Sequence, residues 1–351
     1  MNSHDVNNRL SQIPLINKSI LHSLNTTLHP REQISHVQSL LIIFETVRIS
    51  SAICSVLGVL ANLALIYVIA NTSFRHVSYG LLIATIAFFD SIRLLSSIFY
   101  YLIFANVIPR NFITKIIYVV IDRYPIFVVN WCKVLMSIER LLTVRYWEHH
   151  THLDWRSKHK RKQHRQFTYA IIFILISGFI SQHPNFFSQR YEFIDINYQR
   201  LMFVIKQNPN FKYGYYKFNN TLFTIISYLI LDTTMPVFSV LFVNILLLKE
   251  IRRLPLSLQV KVKESIGILF FLTGLSIAIL PRAFIALYGH YVLDDDYTLL
   301  KKLSISFYIC LGFEYFNHAI TGYTCFLQSA LLRSELKNMI WTRYIVHHLH
   351  E

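Results

Sequence analysis

Charge is scarce in this chain. Only 15% of its 351 residues are Asp, Glu, Lys or Arg, against about 25% in an average soluble protein. So few charges cannot solvate the surface of a soluble fold of this length. Glycine and proline, nine of each, are too few for a collagen-like or low-complexity chain. The four cysteines, Cys54, Cys132, Cys310 and Cys325, all fall inside apolar runs, so no disulfide framework is expected. The first ten residues are polar, with no apolar run behind them. A cleavable leader is therefore not expected, and the first long apolar segment acts as the targeting signal. What is abundant is hydrophobicity, at 54%, with 15% aromatics and a mean hydropathy of +0.40. That content excludes disorder and implies a polytopic membrane protein. The formal charge of +15 reads as loops facing anionic lipid rather than as a nucleic-acid surface.

A helix needs roughly 20 mostly apolar residues to cross the hydrocarbon layer. Seven segments qualify, at about 46–70, 77–104, 116–143, 167–187, 222–248, 265–288 and 303–328. They lack period-two alternation, so helices rather than barrel strands satisfy their backbone groups. The expected fold is an all-α membrane protein, a seven-helix bundle. Residues 1–45 form an outer N-terminal segment, 46–328 the bundle, and 329–351 an inner tail. Within the tail, Leu331, Leu332, Leu336, Met339, Ile340 and Tyr344 share one side, which predicts a short amphipathic helix at the interface. With the N-terminus outside, inner segments carry sixteen Lys and Arg against twelve outside. The excess is concentrated in loop 144–166, in the direction that sets orientation. Glycosylation sequons at Asn17 and Asn25 fit an outer N-terminus.

Ionisable residues inside spans are costly and mark functional or packing sites. On a helical projection of the third span, Asp122, Arg123, Asn130, Lys133, Ser137 and Arg140 fall within an arc of about 100°. Such a stripe points into the bundle or a wet cavity. A structural seam of salt bridges is the plainer account, but three cations and one acid exceed what a single seam requires. Glu139 points away from the stripe and Arg140 along it, at the inner end. There Arg140 either snorkels to headgroups or is held by polar neighbours until released to a partner such as a helix C-terminus. Asp90 and Arg93 stand three apart on the second span and can pair, and Asn62 on the first can reach Asp90. Glu314 and His318 stand four apart on the seventh, close to Asn317; Glu314 and Asp90 are the candidate carboxylate partners of Lys133, Glu314 preferred by depth. Pro236 and Pro281 permit kinks in the fifth and sixth spans.

The order Asn62, Asp90, Glu139-Arg140, Pro236, Pro281 and Asn317 resembles the landmark pattern of seven-helix G-protein-coupled receptors. More narrowly, the run Ile138-Glu139-Arg140-Leu141-Leu142-Thr143 and the stretch from Leu256-Ser257 to Glu264-Ser265 are similar to nematode serpentine chemoreceptors. The second stretch matches the Leu-Ser-x-x-x-Gln-x-x-Glu-Asn pattern of the epsilon, alpha and related classes, with Lys261 and Ser265 replacing Gln and Asn. The chain departs from the receptor pattern where His318, rather than Pro, follows Asn317. It departs again in lacking a Trp in the fourth span and a cysteine pair at the outer end of the third. The resemblance implies a chemosensory receptor in the plasma membrane, with the C-terminus in the cytosol. It would bind a small ligand in the outer half and activate a heterotrimeric G protein through Glu139, Arg140, Arg145 and Glu264.

Other classes were weighed. A seven-span ligand-gated cation channel of inverted topology is separated by the side on which the termini lie. A transporter could use the same buried ionisable groups, although no internal repeat is evident. An enzyme is not expected, since there is no nucleophile elbow, phosphate loop or zinc-type cysteine spacing. His149, His150 and His152 on one loop and His347, His348 and His350 on the tail read as solvated histidines among basic residues. No cofactor, metal or nucleic-acid partner is expected.

Overall fold

The computed structural model describes residues 30–104, 107–109, 112–149, 153–196, 200–207, 225–255, 267, 280–281, 297–330 and 332–338. The sequons at Asn17 and Asn25, Glu264, most of the sixth expected span, the terminal histidines and the end of the tail lie outside these residues. The described chain is almost wholly helical. Helix α1 (Pro30–Asn71) is followed by a single 3-10 turn at Ser73–His76, then α2 (Ser78–Phe104), α3 (Phe112–His149) and α4 (Leu153–Ser188). A wide π-helical stretch at Ile225–Thr234 runs into α5 (Met235–Ile251), and α6 (Tyr297–Gln328) covers the seventh expected span.

Hydropathy marks the part of each helix that is apolar, not where the helix ends. Helix α1 starts well before residue 46, so part of the expected N-terminal segment is helical. Loop 144–166 is largely absorbed into the ends of α3 and α4. Lys, Arg, Glu and Gln are good helix formers, so a charged flank continues a helix that an apolar run began. One element departs from the all-α expectation. Strands β1 (Gln189–Ile196) and β2 (Arg200–Gln207) pair antiparallel, Gln189 opposite Gln207 and Ile196 opposite Arg200. They occupy the first half of the long loop after α4, where Tyr191, Phe193 and Val204 supply β-favouring side chains.

Helices α1 and α6 make the closest packing. A Cβ on Gly58 would lie 2.5 Å from the Ala319 Cα, and one on Gly322 would lie 2.7 Å from the Ala61 carbonyl carbon. Small residues on both helices thus bring two backbones together, as in membrane helix pairs. Polar contacts follow from that closeness. Asn62 donates from Nδ2 to the His318 carbonyl (3.3 Å) and accepts at Oδ1 from the Gly322 N–H (2.8 Å). Its partner is therefore α6, not Asp90 as its position in the sequence suggested. The main core lies between α2, α3, α4 and α5, around Leu82, Ile86, Val128, Cys132, Met136 and Leu247.

Past α6 the chain turns at Ser329, whose hydroxyl accepts from the Leu332 N–H (3.2 Å) in an N-cap arrangement. Residues 332–338 are helical, with Leu332 buried and Arg333, Ser334 and Lys337 exposed. Arg333 donates to the Phe326 carbonyl (3.0 Å), one of those left open at the end of α6. Residues 332–338 of the expected tail helix are thus helical, while Leu331, Met339, Ile340 and Tyr344 of its apolar side lie outside the described residues.

Candidate functional site

Polar side chains run through the interior in two clusters and one inner-end contact. The first cluster joins three helices. The Arg93 guanidinium of α2 is fully buried and binds Asp122 of α3 through Nη1 and Glu314 of α6 through Nη2 (2.5 Å). Nη1 also donates to the Ser96 hydroxyl (2.7 Å), and the Tyr315 ring lies beneath the cation at 4.7 Å. Arg123 approaches Asp122 from the partly exposed side at 3.6 Å. Arg93 is the one side chain here long and forked enough to engage carboxylates on two helices at once.

The second cluster lies one helical turn away along α2. Asp90, also fully buried, meets His318 Nδ1 at 2.5 Å and accepts from the Thr321 hydroxyl at 2.6 Å. Lys133, 3% exposed, is within electrostatic reach of Asp90. Two pairings expected from the sequence are thereby corrected. Asp90 and Arg93 do not pair with each other but point to different partners on α6. Glu314 binds Arg93 through Oε1, and the described residues show no direct Lys133–Glu314 ion pair. Depth along a helix fixes which turn a residue occupies but not which neighbour it faces. Asn317 is buried at 1% exposure, and neither of its amide atoms finds a hydrogen bond among the described residues.

At the end of α3 nearest α4, Arg140 lies with its guanidinium carbon 3.4 Å from the centroid of the Tyr79 ring on α2. Glu139, which the projection turns away from the stripe, is buried as well. It is 4% exposed, accepts from the Thr143 hydroxyl (3.1 Å) and comes within 3.6 Å of Arg140. Among the described residues, Glu139 Oε2, Arg140 Nε and the Tyr79 hydroxyl make no hydrogen bond of good geometry. One and a half turns further, Arg145 binds Glu250 at the end of α5 (3.0 Å), and Arg253 binds the other carboxylate oxygen (3.3 Å). Glu250 was not singled out from the sequence. Its only signal was an acid among cations at a span end.

One further residue, Trp131, was missed, and Asn130 of the stripe has a role the sequence did not disclose. Pro236 has no N–H, so the one backbone donor that would serve the Asp232 carbonyl in the α register, or the Leu231 carbonyl in the π register, is missing. Helix α3 supplies two replacements. Asn130 Nδ2 donates to the Asp232 carbonyl (2.6 Å) and Trp131 Nε1 to the Leu231 carbonyl (3.0 Å). The widened π turn before Pro236 gives the ring room while these side chains cap what it leaves open. Pro125, buried inside α3, is a third proline within the bundle. Pro281 is exposed and lies in helical backbone.

The outer faces have the opposite character. Leu60 on α1, Phe173 on α4 and Phe242 on α5 are each at least 60% exposed, while Arg93 and Asp90 are fully enclosed. In water this distribution would expose the apolar surface that should drive folding and bury the ions that should be solvated. In lipid it is stable. Three described stretches, Ile49–Asn71, Ser78–Ile103 and Ile230–Ile251, are long and apolar enough to cross a bilayer. These features define a helical membrane protein whose interior holds its ionisable groups. Compared with models of known families and with curated proteins, the chain matches none.

Proposed function

We propose that this protein is a seven-helix G-protein-coupled chemosensory receptor of the plasma membrane, with its N-terminus outside and its C-terminus in the cytosol. A small apolar or amphipathic ligand enters the outer half of the bundle, and a heterotrimeric G protein engages the inner ends of α3 and α5. The observation that carries this reading is Arg140. It ends the buried polar face of α3, its side chain only 15% exposed, beside the α3–α5 ion pair of Arg145 and Glu250. A guanidinium held there without a full set of partners is suited to bind the electronegative C-terminus of an incoming helix. Most ions deeper in the bundle are joined to one another, which suits a fixed scaffold better than a transport pathway.

Two experiments test the reading. An epitope at residue 2 is expected to stain intact cells, and one at residue 351 only after permeabilisation. The reverse pattern points to the inverted-topology channel. Arg140→Ala is expected to keep surface expression and abolish ligand-stimulated nucleotide exchange. Exchange at wild-type potency and amplitude makes Arg140 a snorkelling residue instead.

A further inference from the structure

We infer that Tyr79 is the positioning residue for Arg140, and that its ring, not a carboxylate, holds the arginine in the resting state. The inference rests on the receptor reading only for what the release achieves. The contact itself stands on geometry. The Tyr79 ring lies 3.4 Å from the Arg140 guanidinium carbon, closer than the 4.7 Å of the Arg93–Tyr315 stack. The ring is 7% exposed, so its face is withdrawn from water, where a cation–π contact is strongest.

The neighbouring acid is a weaker holder. Glu139 meets Arg140 at 3.6 Å, beyond hydrogen-bond range, and spends one oxygen on Thr143. Among the described residues, Arg140 Nε, Glu139 Oε2 and the Tyr79 hydroxyl make no hydrogen bond of good geometry, and Arg140 meets the face of the Tyr79 ring. A ring holds a cation without directional bonds. Sliding off the ring breaks no hydrogen bond, and Glu139, the adjacent residue on α3, moves with Arg140. The backbone that carries Tyr79 is fixed by the 3-10 turn at Ser73–His76: a Cβ on Gly80 would lie 2.2 Å from the Phe74 carbonyl oxygen, so the start of α2 is seated against this turn. Movement of α3 relative to α2 would slide Arg140 off the ring and present its guanidinium to the inner crevice.

The test uses the full chain in lipid nanodiscs with two independent readouts. One is the rate at which phenylglyoxal modifies Arg140, followed by peptide mass spectrometry. The other is basal nucleotide exchange on added heterotrimeric G protein. Tyr79→Leu is expected to raise both about fivefold, the shift expected from losing one partly desolvated cation–π contact. Tyr79→Phe keeps the ring face and is expected to leave both at wild-type values. Mono-, di- and trifluorinated phenylalanines at position 79 keep the shape while draining the negative face, and Arg140 modification should rise stepwise along that series. The series keeps the test decisive even where Tyr79→Leu does not fold. A flat response across the fluorinated series, or Tyr79→Phe behaving like Tyr79→Leu, overturns the inference. Modification that rises while no variant supports exchange leaves the Tyr79 contact standing and removes the receptor reading.

Discussion

The polar groups at the two ends of α3 are arranged in opposite ways. Around Arg93, two carboxylates, a serine hydroxyl and an aromatic ring meet one guanidinium, and three helices are joined at a point. Around Arg140, a ring and a distant carboxylate share the guanidinium, and three polar atoms are left without hydrogen bonds. A saturated buried network rigidifies what it joins, whereas an unsaturated one has little to lose by rearranging. The same residue type thus serves as a rivet in one place and as a movable part in the other.

The largest effect should come from removing the rivet. Arg93→Leu leaves Asp122 and Glu314 buried without their shared cation, a loss of about 3–5 kcal/mol for a buried pair broken from one side. Surface expression and the yield of monodisperse protein in detergent should collapse. Combining Arg93→Leu with Asp122→Asn and Glu314→Gln should restore a substantial part of the yield, because no uncompensated charge remains. Normal yield for Arg93→Leu alone would show that Arg93 does not join the helices.

The next effect concerns the capped carbonyls before Pro236. Asn130→Val should lower the melting temperature, with a cost of about 1–3 kcal/mol for an uncapped buried carbonyl, and Trp131→Phe should do so to a lesser degree. In a Pro236→Ala background the helix regains its own N–H. The Asn130→Val penalty should then shrink, which a double-mutant cycle on thermal melts reads directly. Equal penalties in both backgrounds would separate the side chains from the proline.

How much of this was legible in the sequence follows from what periodicity encodes. The angular stripe on α3 put Asn130, Lys133 and Ser137 on one face, and all three are buried. The apolar runs located α1, α2 and α5, and the alternation of apolar and charged residues after Ser329 located the tail helix. Partners were not legible. Arg93 and Glu314 are 221 residues apart, and nothing local says that α6 is rotated to bring Glu314 to Arg93 and not to Lys133. The burial of Glu139, which points away from the stripe, was not legible because an angle on one helix says nothing of what covers its other face. The Asn130 and Trp131 caps could have been sought by asking which donors serve the carbonyls that Pro236 strands.

The smallest effects belong to the α3–α5 ion pair. Arg145 and Arg253 are about half exposed, and pairs of this kind contribute little to stability. Glu250→Gln should leave expression and melting unchanged and alter basal exchange by at most about twofold. A collapse of expression comparable to that of Arg93→Leu would mean that the inner end is as rigidly joined as the outer one.

The contrast between the two arginines can be read in a single sample. Wild-type protein in nanodiscs is treated with phenylglyoxal, digested, and the modification of Arg93 and Arg140 is followed over time by mass spectrometry. Arg140 should be modified progressively while Arg93 stays protected for as long as the bundle is folded. Modification of both at the same rate would contradict the division of the interior into a fixed and a movable half.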